Sequence, residues 1–200
     1  MRTFIAIDLP TDLKKQMDAL QAEIRKALRA SDDDSALNWV NVDKMHLTLR
    51  FLGETDDRQR DQLAHHLQKI VQAQSPFELR LAGIGAFPNW PRMHVLWVGI
   101  EGSGKRLQQL QAEVEKVAQT CGFVAEDRSF SPHITLARVD RNAANRQVQH
   151  MGELLRSWAQ SSGNRKWGVW HVDGLIYMRS QLQPDGAIYT PLRHFPFEAK

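Results

Sequence analysis

The 200-residue chain carries 26 Lys and Arg against 23 Asp and Glu, a net charge of +3 and a pI near 9.2, with 42% apolar and 24% charged residues. That balance describes one globular domain, or two small lobes around a shared core, and excludes a disordered or collagen-like chain. Mild basicity favours anionic ligands without naming one. The single cysteine, Cys121, excludes an intrachain disulfide and reads as a structural thiol in a reducing cytoplasm. The apolar run at residues 4–7 is too short for a signal segment, and no stretch approaches a membrane span. A cytoplasmic protein without a membrane partner is expected.

Residues 3–9 predict a buried strand closed by Pro10, with Thr11 capping an amphipathic helix over 12–30. Leu13, Met17, Leu20, Ile24 and Leu28 fall on one face of that helix. A polar loop at 31–34 leads to a short strand at 38–42 and a longer one at 45–52, closed by Gly53. A second helix over 56–74 places Leu63, Leu67, Ile70 and Val71 together. Residues 77–87 predict a strand in which Gly83 and Gly85 mark bulges. A turn rich in proline at 88–91 precedes a strand at 94–100, and residues 102–104 open a third helix over 105–120. A short strand at 123–126, a strand at 133–139, a helix over 143–159 and a loop at 161–164 follow. Residues 167–180 and 187–195 predict a closing hairpin across 184–186.

The order of elements repeats loosely between the two halves, with the strand and helix of residues 4–28 answering those of residues 95–117. The expected fold class is α+β: bilobal, with duplicated antiparallel sheets, helices packed outside and a central groove between the lobes. Residues 1–200 would then form one domain of two pseudo-symmetric lobes, with motif strands at 45–52 and 133–139.

Those two strands carry the same tetrapeptide pattern, His46-Leu47-Thr48-Leu49 and His133-Ile134-Thr135-Leu136. On a strand, residues two apart share a face, so each histidine points the same way as its threonine. Two imidazoles on opposite sides of a phosphorus atom can act as base and acid in an in-line displacement, with no metal or cofactor. The threonine hydroxyls can donate to the non-bridging oxygens. Arg138, near the mouth of the second strand, is the candidate for bidentate phosphate binding. A metal site at either histidine lacks carboxylate or thiol partners at suitable spacing. His65 and His66 share a helix, one of them exposed, while His94, His150, His171 and His194 read as surface or packing residues. Phe51 suits base stacking or the core equally, and Trp90 could form a groove wall. Arg50, Arg92, Arg128 and Arg179 could track an RNA backbone, with solvated arginine as the ordinary alternative.

The extended motifs, His46-Leu47-Thr48-Leu49-Arg50-Phe51-Leu52-Gly53 and Phe130-Ser131-Pro132-His133-Ile134-Thr135-Leu136-Ala137-Arg138, resemble the two-histidine (2H) phosphoesterase superfamily. The closer resemblance is to its RNA 2',3'-cyclic phosphodiesterase group, also called 2'-5' RNA ligase, and it spans nearly the whole chain. It implies metal-independent hydrolysis of a terminal 2',3'-cyclic phosphate on RNA to a 2'-phosphate. It implies that His46 is the proton donor to the ribose O3' and His133 the proton acceptor from water, while Thr48, Thr135 and Arg138 hold the phosphate. A 5'-hydroxyl in place of water would give reversible 2'-5' ligation. The partners expected are RNA with a cyclic phosphate end and nucleotides, bound by a monomer. Two alternatives stay open: another 2H activity, on 2'-5' oligonucleotides or cyclic nucleotides, and a non-catalytic module that binds RNA ends.

Overall fold

The computed structural model describes residues 1–29, 34–102, 104–162, 165–183 and 186–198. Among these, β1 (Arg2–Asp8), α1 (Thr11–Arg29), β2 (Leu37–Trp39), β3 (His46–Glu54), α2 (Asp57–Ala73) and β4 (Phe77–Phe87) make up the first half of the chain. The second half holds β5 (Val95–Gly102), α3 (Gly104–Thr120), β6 (His133–Val139), α4 (Asn145–Ser161), β7 (Lys166–Val172), β8 (Gly174–Gln183) and β9 (Gly186–Pro196). Three single turns of 3-10 helix, Asp34–Ala36, Val42–Lys44 and Trp90–Arg92, interrupt the loops. The expected loops and turns at 31–33, 103, 163–164 and 184–185 lie outside the described residues.

Two antiparallel sheets form, in the orders β3-β1-β8-β9 and β2-β6-β5-β4-β7. The expected pair of sheets with helices around them is present, but the lobes do not follow the halves of the chain. β2 and β4 from the first half join the second sheet, and β8 and β9 from the second half complete the first. The helices exchange as well. α1 packs on β7 and α4, whereas α3 packs on α2 and β3.

Side-chain spacing explains the helices. The buried face of α1 is the expected set, Leu13, Met17, Leu20, Ile24 and Leu28, joined by Gln21. Gln21 is polar and buried because its Nε2 donates to the carbonyls of Val40 and Leu136 at 2.8 and 2.9 Å. That pair of bonds fastens α1 to β6 and to the chain leaving β2. α2 starts on a capping box between Asp56 and Gln59. One apolar cluster draws on both sheets and all four helices.

Four local expectations need correction. Residues 123–126 form no strand: the chain leaves α3 through Gly122 at φ 86°, and the Val124 carbonyl accepts from Arg50 instead of a ladder. Residues 167–180 are two strands in different sheets, separated at Asp173, whose carbonyl accepts from the Phe197 N–H. The Asp173-Gly174 pair at that corner is the local turn signal for the break, set between two apolar runs that otherwise read as one. Gly83 marks a register shift, as expected, but Gly85 pairs regularly with Trp97. Gly85 has another reason to lack a side chain, since its Cβ would lie 2.2 Å from the Trp97 indole. Thr11 begins α1 itself, and the Pro10 carbonyl accepts the first helical bond, from Lys14.

Candidate active site

β3 and β6 meet where the two sheets approach, with Cα atoms of the two strands within 8 Å. His46 and His133 are the first residues of these strands, and both are half-buried. Each imidazole is held the same way. His46 Nδ1 lies 2.8 Å from the Lys44 carbonyl, and His133 Nδ1 lies 2.7 Å from the Ser131 carbonyl, in both cases two residues earlier. A carbonyl only accepts, so Nδ1 carries the proton and Nε2 is left as the basic nitrogen on both rings. Pro132 follows Ser131 directly, and a residue before proline is disfavoured in the helical region, which limits how the Ser131 carbonyl can turn.

Burial pushes both imidazoles below the ordinary histidine value. The backbone bonds to Lys44 and Ser131 oppose this shift, as does the Asp8 carboxylate at His46. The Arg138 cation lowers both rings, and Lys14 lowers His46 further. Arg138 therefore stands within electrostatic reach of both histidines.

Strand alternation alone would place Arg50 beside His46 and Thr48, and would turn Phe51 and Arg138 to the far faces of their strands. Two β-bulges reverse this. The β1–β3 register shifts between Thr48 and Arg50, leaving Leu49 and Arg50 both buried and Phe51 51% exposed. The β5–β6 register shifts between Thr135 and Ala137, leaving Leu136 and Ala137 both buried and Arg138 exposed. An extra residue in one strand resets which side chains face out. Phe51 and Arg138 thus share the faces of His46 and His133. Thr48 and Thr135 are half-buried, and neither hydroxyl bonds to another described residue.

The aromatic surroundings of the rings were not legible beforehand. Phe4 stacks on His46 at 4.8 Å, and Tyr189 meets it edge-on at 5.1 Å. Phe87 meets His133 edge-on at 4.9 Å, with Trp97 at 6.4 Å. These residues come from β1, β9, β4 and β5, so only the strand order could have disclosed them. Trp90, expected as a groove wall, packs instead against the core in the turn that abuts α4.

Arg50 is not an RNA contact. It is 8% exposed, its Nε lies 2.5 Å from Glu115 of α3, and it donates to the carbonyls of Phe51 and Val124. Arg128 is exposed and paired with Glu126 at 3.0 Å; Arg92 is exposed and Arg179 half-buried. His65, His94 and His171 are exposed. His194 is exposed too, but it lines a cavity of about 170 Å³ beside His46, together with Asp8, Lys14, Lys44 and Tyr189. Cys121 is buried, and desolvation raises its thiol pKa, as suits a structural role. Among the described residues no group of three or more His, Cys, Asp or Glu is placed to hold a metal ion, and no helix is long and apolar enough to cross a membrane.

The family model of the 2'-5' RNA ligase superfamily matches residues 9–180. The chain belongs to this superfamily. Within it, the chain is an enzyme of the RNA 2',3'-cyclic phosphodiesterase family. It is 36% identical over 139 residues, 70% of each chain, to the RNA 2',3'-cyclic phosphodiesterase of Thermotoga maritima. It is 31% identical to that of Thermus thermophilus over 204 residues, covering 98% of this chain and 89% of the relative. Superposition on Escherichia coli LigT complexed with 3'-AMP gives a TM-score of 0.73 at 26% identity, over 98% of this chain and 97% of that one. The histidines of both extended motifs thus open the two strands that meet between the sheets, and Arg138 of the second motif acts on both rings.

Proposed function

We propose that the chain hydrolyses the 2',3'-cyclic phosphate end of RNA to a 2'-phosphate, with His133 as general base and His46 as general acid. His133 Nε2 takes a proton from the attacking water while His46 Nε2 gives one to the departing ribose O3'. Bond formation to the water oxygen and cleavage of the P–O3' bond leave a 2'-phosphomonoester and a free 3'-hydroxyl. Thr48, Thr135 and Arg138 bind the non-bridging oxygens, where charge builds up in the transition state. Phe51 offers a face for a base. With a 5'-hydroxyl in place of water, the same groups would join it to the cyclic phosphorus as the P–O3' bond breaks, giving a 2'-5' linkage and a free 3'-hydroxyl; the reverse of that step re-forms the cyclic phosphate and frees the 5'-hydroxyl. The buried free thiol Cys121 supports a cytoplasmic setting.

The single observation that carries this reading is the matched anchoring of the two imidazoles. Each presents Nε2 from the first residue of a strand at the junction of the sheets, and one arginine acts on both. Nucleotide and phosphate complexes of LigT support an RNA-end ligand. The experiment is product analysis after incubation with an oligonucleotide ending in a 2',3'-cyclic phosphate, with EDTA present. A 2'-phosphate product is expected. A 3'-phosphate product would reject O3' as the leaving group, and dependence on added divalent metal would reject the two-histidine mechanism.

A further inference from the structure

We propose that Asp8 is a positioning residue that fits His46, and not His133, for the proton-donor role. This rests on the acid–base reading above and names the feature that tells two similar imidazoles apart.

The two histidines are held alike, with Nδ1 on a carbonyl two residues earlier, a threonine two residues later and a bulge beyond. Their cross-strand partners differ. The β1–β3 register sets Asp8 opposite His46, whereas the β5–β6 register sets Gly99 opposite His133. Directly opposed residues of an antiparallel pair share a face, with Cβ atoms about 5 Å apart. Asp8 and His46 also line one cavity. The second lobe has no room for a counterpart carboxylate, because a Cβ at Gly99 would lie 2.8 Å from the Ala82 carbonyl oxygen.

An acid must reach the reaction protonated and a base must reach it neutral. A carboxylate beside an imidazole favours its protonated form. The groups facing His46 are Asp8 of β1, Lys14 of α1, Asp43 and Lys44 of the preceding turn, Arg138 of β6, and Tyr189 and His194 of β9. Asp8 is the one among them whose charge favours the His46 imidazolium, and no carboxylate of the described residues does the same at His133. Lys14 Nζ lies 3.1 Å from Asp8 Oδ1, which fixes the carboxylate and offsets part of its field. The Asp8 side chain is 53% exposed, so water screens what remains and the effect is a modest bias.

The test is an NMR titration of the histidine ring protons in the whole protein, with the His46 and His133 signals assigned through His46→Gln and His133→Gln. Asp8→Asn, nearly isosteric, is expected to lower the His46 midpoint by about half a pH unit and leave His133 in place. Lys14→Met is expected to move His46 the other way. A His46 midpoint unmoved in Asp8→Asn, or equal movement of both histidines, overturns the proposal. The titration needs no substrate, so its outcome is separate from whether the protein opens a cyclic phosphate. Where turnover is present, the alkaline limb of kcat/KM is expected to shift to lower pH in Asp8→Asn.

Discussion

Phe51 and Arg138 occupy the same place in the two lobes. Each follows its histidine by five residues, and each is returned to the histidine's face by a bulge after the threonine. One lobe uses the position for an aromatic face and the other for a cation, a division suited to a ligand with a base at one end and a phosphate at the other. Phe51→Ala is expected to raise KM for a cyclic-phosphate oligonucleotide by about 5- to 150-fold, corresponding to a stacking loss of about 1–3 kcal/mol, with a smaller change in kcat. Arg138→Ala is expected to lower kcat/KM further. Steady-state kinetics with oligonucleotide substrates reads both.

His46→Ala and His133→Ala are each expected to reduce kcat by about 10²- to 10⁴-fold. Both rings are half-buried at strand starts, and neither belongs to the apolar cluster, so far-UV circular dichroism and the thermal midpoint should change little. A catalytic loss that merely tracked unfolding would reject the assignment.

Both imidazoles titrate below the ordinary histidine value of 6.5, chiefly through burial. Between that value and the lower folded-state values, the unfolded chain binds more protons than the folded one. The stability these rings contribute is therefore complete above about pH 6.5 and is lost as pH falls through the folded values. Urea midpoints measured from pH 7.5 to pH 5 should decline. The decline should be smaller in a His46→Gln, His133→Gln double variant.

Arg50→Met removes the cation between Glu115, Glu126 and the Val124 carbonyl. Glu115 is 16% exposed and would lose its cation while keeping the bonds from Gln119 Nε2 and the Glu126 N–H, a loss of at most about 3–5 kcal/mol, the figure for a buried pair broken on one side. Adding Glu115→Met should recover much of it, measured by denaturant unfolding. Histidine chemistry should persist in both variants.

Gly152→Ala places a Cβ 1.9 Å from the Trp90 carbonyl oxygen. α4 and the Trp90–Arg92 turn must then separate, at a cost of about 1–3 kcal/mol. A thermal midpoint unchanged from the parent would contradict the contact.

Periodicity made the helices legible, because their stability depends on one apolar stripe. The five apolar residues expected on α1 are all buried. The histidine–threonine pairs were legible for a similar reason, since period two holds over the three residues from His46 to Thr48. It fails one residue later. Counting by twos places Arg50 in the groove and Phe51 in the core, and the bulge at Leu49 reverses them. A bulge is fixed by cross-strand pairing, which local sequence does not state. The same holds for Asp8, whose proximity to His46 is a matter of register, and for Phe87 and Trp97, which reach His133 from other strands. The ascription of the acid role to His46 came from family resemblance, and the contrast of Asp8 with Gly99 supplies a physical ground that no linear reading contained.

The exchange of strands between lobes governs the order in which a nascent chain can become competent. A chain synthesised as far as residue 160 already holds His46, His133, both threonines and Arg138. It lacks β8 and β9, half the strands of the sheet beneath His46, and Tyr189, whose edge closes on that ring. The first histidine thus waits on the closing hairpin for its support, and a ribosome-bound fragment can carry every reacting group while still being unable to hold them for catalysis.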